Sequence, residues 1–414
     1  MPRMLPLLQV LVFALFLAGP VGLSLLGVPG GRLAVENRPM AKAPPLAMAW
    51  SDPAGFGPAL AGYCRDAAPF RDHLIRANSR LRLALFRESP VPGVVLGRDG
   101  WLFYSLEWAL DDFLNVIPLA EREIAAMVRI QVERRDWLAA RGMGYLVVFA
   151  PDKAGVYPEF LPEGISPLGP MSRLDQLVPR LRQAGVAVVD LREALPAAKA
   201  AHRAYMKTDT HWNGWGALAG ASAIVEAVRR QRPDLPALDP GAYEVAGQDR
   251  PGGDLAEMLL LPDIWREHDL LPRARGPVLA RPAPDGPYPD PADHPERSRA
   301  ALETGQGGWP RLVVFHDSFA RGMMPYLAER FSRSVFLWSH AFSPEIIEAE
   351  RPDVVVLEVV ARYIFALSLE NPEGMRPGAQ QPPTGNVSGD EAANVAKSGT
   401  GGALPGQEAG RPGS

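Results

Sequence analysis

The sequence predicts an α/β fold: a doubly wound parallel sheet with helices on both faces. Three observations carry that prediction. Continuous apolar runs of β-forming residues recur at 145–150, 312–315 and 354–357, the pattern of strands buried on both faces. Stretches with helical apolar spacing lie between the apolar runs. Strands alternating with helices are the order that builds a parallel sheet covered on both sides.

From the N-terminus, Arg3 precedes an uncharged apolar stretch from Met4 to Val28. A bilayer span takes about 20 apolar residues, so residues 1–28 read as a signal anchor. The preceding positive charge places the body of the protein outside the cytoplasmic (inner) membrane. Gly19, Pro20 and Gly22 allow a cleaved signal peptide instead, which exports the chain equally. Residues 29–68 read as a Pro-rich linker and lead-in, and 69–368 as one large domain.

Within that domain a helical stretch is expected over 70–86, with Leu74, Ile75, Leu81, Leu83 and Leu85 on its apolar side. Gly97-Arg98-Asp99-Gly100 is a turn signal feeding a short strand at Trp101-Leu102-Phe103-Tyr104; these aromatic rings are read as core. Ile124, Met127, Val128, Ile130, Val132 and Leu138 predict an amphipathic helix over 120–141. The strand at 145–150 follows, then a helix over 172–184, a strand at 186–189 and a helix over 215–230. The remaining strands are 312–315, 335–338 and 354–357. Residues 232–310 form a long insertion rich in Pro and Gly, of which 281–308 reads as a loop. Residues 369–414 are polar and Gly-rich and are expected to be disordered.

Composition excludes several classes. The 414 residues carry a net charge of −4 with no basic stripe, which argues against nucleic-acid binding. Cys64 is the single cysteine, so no internal disulfide can form; it is expected as a packed small hydrophobe. No CxxC or His/Cys cluster offers a zinc site, and no cofactor is implied.

Two segments carry chemistry. In Leu312-Val313-Val314-Phe315-His316-Asp317-Ser318-Phe319 a buried strand ends and Ser318 stands in the turn before a helix. A hydroxyl there sits beside unpaired backbone N–H groups that can stabilise an oxyanion, although a serine at that place also serves simply as a helix cap. In Thr208-Asp209-Thr210-His211-Trp212, residues two apart point to the same side of an extended segment. Asp209 can then orient His211, which activates Ser318 as a nucleophile. The competing reading is a loop histidine with a helix-capping aspartate. A metal reading lacks a third ligand at suitable spacing. His340 ends a strand and is the only credible substitute base, and Asp254 is read as a residue that caps or orients a loop. Lys153 and Tyr157, just after a strand, and Trp212 beside His211 are candidates to line the substrate site.

At these residues the chain resembles the periplasmic alginate O-acetyltransferases and related cell-envelope polysaccharide acetylation proteins, which have an SGNH-hydrolase-like domain. The resemblance runs from Val35 to Phe365. It rests on Glu36-Asn37-Arg38 followed by Ala41 and Pro44, Pro69-Phe70-Arg71-Asp72, the segment from Gly97 to Tyr104, Pro151-Asp152-Lys153 with Tyr157-Pro158-Glu159, and Asp209-Thr210-His211-Trp212. Gly253-Asp254-Leu255, His316-Asp317-Ser318-Phe319 and Arg351-Pro352-Asp353-Val354-Val355 complete it. The resemblance implies a triad of Asp209, His211 and Ser318, an acetyl-serine intermediate, a polysaccharide acceptor, and a multipass membrane acyltransferase as acetyl donor. His316 stands where the family has Gly, and no carbohydrate-binding module follows the domain. A carbohydrate acetylesterase and a non-catalytic scaffold of an export complex are the alternatives.

Overall fold

The computed structural model describes residues 41–66, 71–284, 286 and 299–372. The apolar stretch over 4–28 and the chain beyond 372 lie outside the described residues. Among the described residues no helix is long and apolar enough to cross a membrane.

Seven strands form the central sheet in the order β4-β3-β11-β9-β10-β8-β7. These are β3 (Gly144–Ala150), β4 (Val188–Asp190), β7 (Arg281–Pro282), β8 (Ala300–Glu303), β9 (Arg311–His316), β10 (Arg333–Trp338) and β11 (Val354–Val360). The five strands β4, β3, β11, β9 and β10 pair in parallel. Alternation along the buried strands splits the core in two. Leu146, Val148 and Ala150 face one cluster, with the Gly214–Arg229 and Ala320–Ala328 helices. Tyr145, Val147 and Phe149 face the other, with the Glu121–Ala139, Arg173–Gln183 and Pro344–Glu350 helices. The expected helices on both faces are therefore present.

Several expectations need correction. The sheet is mixed, because β8 runs antiparallel to β10 and β7 antiparallel to β8. Both strands come from the segment expected as loop, and they cover the β10 edge that would otherwise leave a row of backbone groups unpaired. The insertion also contains a hairpin of β5 (Tyr243–Arg250) and β6 (Glu267–Ala274). The expected linker contains the Met48–Ser51 and Pro53–Asp66 helices, the second opened by Asp52 accepting from the Gly55 N–H at 3.0 Å. Cys64 is exposed rather than packed. A separate hairpin of β1 (Val94–Leu96) and β2 (Leu102–Tyr104) places Trp101 and Phe103 in the core, as expected.

The start of the expected tail is also ordered against the body. Arg134 is fully buried on the Glu121–Ala139 helix, and its guanidinium needs acceptors. It donates to the Asn371 side chain at 2.7 Å and the Leu369 carbonyl at 2.9 Å. Asn371 in turn donates to the Ile130 carbonyl at 3.2 Å.

The carboxyl ends of β3, β9 and β11 meet where the strand order reverses. From β3 the chain moves outward to β4, from β9 outward to β10, and β11 returns between β3 and β9. Crevices at such switch points are where open α/β sheets bind ligands. A chain ending at Ser368 removes two acceptors of Arg134. It should be less stable than one ending at Pro372 by about 2–4 kcal/mol. Equal urea midpoints for the two truncated chains would show that the 369–371 strap contributes nothing.

Candidate active site

Strand β9 delivers Ser318 to the carboxyl edge of the sheet, and the Ala320–Ala328 helix begins two residues later. The Ser318 hydroxyl does not cap that helix. It lies 2.8 Å from His211 Nε2. On the other side of the ring, His211 Nδ1 lies 2.8 Å from Asp209 Oδ1, which also accepts the His211 backbone N–H at 2.9 Å. Asp209, His211 and Ser318 thus form one unbroken hydrogen-bonded chain, brought together as the sequence predicts. The Asp209 carboxylate is buried, whereas the His211 side chain is 29% exposed and Ser318 is partly exposed, so the hydrogen-bonded chain opens to solvent toward its serine end. Burial alone would raise the Asp209 carboxyl, but hydrogen bonds and charge from His211, with amides of His211 and Asp254, hold it below its ordinary value.

Lys153, Tyr157 and Trp212 do not line a substrate surface; all three are buried. Lys153 Nζ donates to the carbonyls of Met206, Lys207 and Asp209 at 3.1, 3.0 and 2.6 Å. Burial pushes its ammonium down to about 7, while the charges of Asp209, Asp254 and Glu267 act in the opposite direction. Three carbonyl acceptors match the three donors of the protonated amine. The Tyr157 hydroxyl accepts the Ala204 N–H at 2.8 Å. Trp212 Nε1 donates to the Phe319 carbonyl at 3.1 Å, joining the histidine segment to the serine turn.

The insertion supplies a further wall. Glu267 of β6 accepts the backbone N–H groups of Lys207 and Thr208 at 2.9 and 2.7 Å. Gly253 packs so closely that a Cβ there would stand 2.4 Å from Asp209, so only glycine fits. Asp254 lies beside the histidine, its Oδ2 3.5 Å from His211 Nδ1. Its Oδ1 accepts the Thr210 backbone N–H at 2.6 Å. Burial and the negative charge of Asp209 push the Asp254 carboxyl up. Potential ligand atoms of Asp209, His211 and Asp254 lie within 4.8 Å of one another. Asp254 is therefore the third side chain that a metal site here would need, which spacing alone does not reveal. The two ring nitrogens of His211 are, however, already engaged by Asp209 and Ser318.

Behind Ser318 the turn is tied down by buried acids. Asp317 accepts the N–H groups of Phe319 and Val360 at 3.0 and 2.7 Å, and Glu358 accepts that of Asp317 at 3.2 Å. Burial, then the charge of Asp317, pushes the Glu358 carboxyl well up. His340, the substitute base, approaches Asp317 at 3.6 Å rather than Ser318. His316 turns inward and is fully buried, its Nδ1 2.6 Å from the Asp317 carbonyl.

Two outcomes follow from this geometry. Lys153→Met should lower unfolding stability by about 2–4 kcal/mol, because the carbonyls of Met206 and Asp209 lose their donor and that of Lys207 keeps only the Leu102 N–H; an unchanged urea midpoint would show the clamp to be idle. Asp254→Asn should raise the melting temperature at pH 7. The folded state raises this carboxyl, so its ionised form costs stability above the folded value. That cost disappears once pH falls below the unfolded value near 4. The difference between variant and wild type should close over that range in thermal melts, and a variant less stable at pH 7 would contradict the assignment.

Residues 94–281 match the family described as SGNH hydrolase-like domain, acetyltransferase AlgX. The matched stretch contains Asp209, His211 and Asp254 and ends before Ser318. A probable alginate O-acetylase AlgJ of Pseudomonas putida is 36% identical over 192 residues, 45% of this chain and 46% of that protein. The Pseudomonas aeruginosa protein of the same name is 31% identical over 195 residues, 47% of each. The chain spans about half the length of the curated relatives it matches. Among solved structures, the O-acetyltransferase domain of Pseudomonas putida AlgJ aligns with 70% of this chain and 96% of its own, at 25% identity and a TM-score of 0.43. The likeness to the SGNH hydrolase-like AlgX acetyltransferase domain thus covers residues 94–281.

Proposed function

We propose that this chain is a polysaccharide O-acetyltransferase working through an acetyl-serine on Ser318. The observation that carries the reading is the unbroken chain Asp209–His211–Ser318 at the carboxyl edge of the sheet. The names of the curated relatives, alginate O-acetylases, support acetyl transfer to a polymer hydroxyl.

In the first half-reaction Ser318 Oγ attacks the carbonyl carbon of an acetyl donor while His211 Nε2 takes its proton. Asp209 fixes the ring so that Nε2 is the accepting nitrogen and stabilises the imidazolium that forms. The leaving group departs with the proton held by His211, and the acetyl group remains on Ser318. In the second half, His211 takes the proton of a sugar hydroxyl, whose oxygen attacks the acetyl-serine; the proton then returns to Ser318. The N–H groups of Asp317 and Phe319 are occupied by the carboxyls of Glu358 and Asp317. The Ser318 N–H has no acceptor among the described residues, and we assign it as a donor to the oxyanion. We further read the reaction as taking place outside the cytoplasmic membrane, in the periplasm. The apolar stretch over 4–28 is then the anchor, and a multipass membrane acyltransferase the acetyl donor.

Acetate release from a chromogenic acetyl ester, measured on the full chain, tests the chemistry. Ser318→Ala and His211→Ala should each lose about 10³-fold or more in rate while remaining folded. Wild-type rates in both variants would overturn the reading and favour a scaffold.

A further inference from the structure

Downstream of Phe86 the described residues contain two exposed Trp, Tyr or Phe side chains, Trp108 at 52% and Phe365 at 42%. They are carried by two segments that touch each other. The Tyr363 hydroxyl donates to the Glu107 carboxylate, and Arg362 Nε lies 3.7 Å from the same group. The contacts lead directly to the reacting groups. The Arg362 guanidinium stands 5.4 Å from the Phe319 ring, and that ring stands 5.0 Å from the His211 ring. Residues 106–108 and 361–365 are therefore joined to His211 through Arg362 and the buried Phe319 ring.

The backbone that presents Trp108 is unusual. Glu107 and Trp108 both occupy the left-handed region, with φ of 54° and 67°. Side chains other than Gly, Asn and Asp rarely adopt that conformation, at a cost of about 1–3 kcal/mol each, and such strain gathers at binding and active sites. Here the strain holds an indole in water, where burial would otherwise draw it inward. The Glu107 contacts to Tyr363 and Arg362 hold the segment in place.

We propose that Trp108 is the acceptor platform: its indole stacks against the C–H face of a pyranose ring of the polysaccharide, next to the ring whose hydroxyl reaches Ser318. Phe365 marks the continuation of the same path. The proposal rests on the transferase reading above and adds to it the place where the polymer is held. A polymer must be held beside the ring that reacts, and an exposed aromatic face joined to the reacting groups by these contacts offers an apolar, planar surface for that purpose.

The test separates polymer binding from chemistry. The full chain, its Trp108→Asn variant and its Trp108→Ala variant are run through native gels containing deacetylated alginate, and ester turnover is measured in parallel. Asparagine tolerates the left-handed backbone, so it guards against misfolding at this position. Wild type should be retarded, and both variants should bind the polymer about tenfold more weakly while ester turnover stays within about twofold. Retardation equal in variant and wild type overturns the platform, as does an unretarded wild type. A parallel fall in ester turnover also overturns it, since Trp108 would then support the triad itself. Failure of the transferase reading is recognised separately, by ester turnover that does not depend on Ser318.

Discussion

Lys153 carries its amine into the interior just beyond the end of β3, and the carbonyl oxygens of Met206, Lys207 and Asp209 meet it there. The segment it holds has almost no ladder of its own, beyond an isolated bridge between Tyr205 and Trp212. The carbonyls of Met206 and Asp209 would otherwise stand in the interior without a donor, while that of Lys207 also accepts the Leu102 N–H. The clamp fixes the backbone of Asp209, Asp209 fixes His211, and His211 reaches Ser318. Because β3 and β9 both pair with β11 in fixed register, the lysine at the end of one strand and the serine at the end of the other stand at a set separation.

Acids around this frame divide into two groups. Asp317 and Glu358 occupy the amides of the serine turn and set its shape. Asp209 and Asp254 flank the histidine. Of these two, Asp209 is held ionised by its contacts with the ring, whereas Asp254 is pushed toward its neutral form by burial and by its neighbour's charge. The segment that reads as an insertion supplies Gly253, Asp254 and Glu267, so it is part of the frame that positions Asp209.

The strands of the parallel core were legible because each is a continuous apolar run, and a strand buried on both faces has no other pattern. The grouping of Asp209, His211 and Ser318 was legible for a related reason: Ser318 follows a strand end, and Asp209 and His211 lie shortly before the Gly214–Arg229 helix. Lys153 was singled out for the wrong role, since its partners are backbone carbonyls that leave no trace in residue identity. β8 was hidden because four residues at a sheet edge are too short for a period to show. Asp254 lies 43 residues from His211 and meets it only through the fold. Trp108 is exposed by a backbone conformation that its side chain does not favour, which composition cannot foretell. Asn371 has a polar neighbourhood in sequence and a buried arginine as its partner in space.

The central claim is that an acetyl group resides on Ser318 during the reaction, and intact-mass analysis tests it most directly. The full chain would be mixed with an excess of a chromogenic acetyl ester, quenched in acid within the first turnover and digested for peptide mapping. One acetyl group on the Ser318 hydroxyl, absent from Ser318→Ala, is the predicted result. An unmodified Ser318 in a chain that turns over the ester, or an acetyl group on another side chain that disappears with continued turnover, would contradict the account.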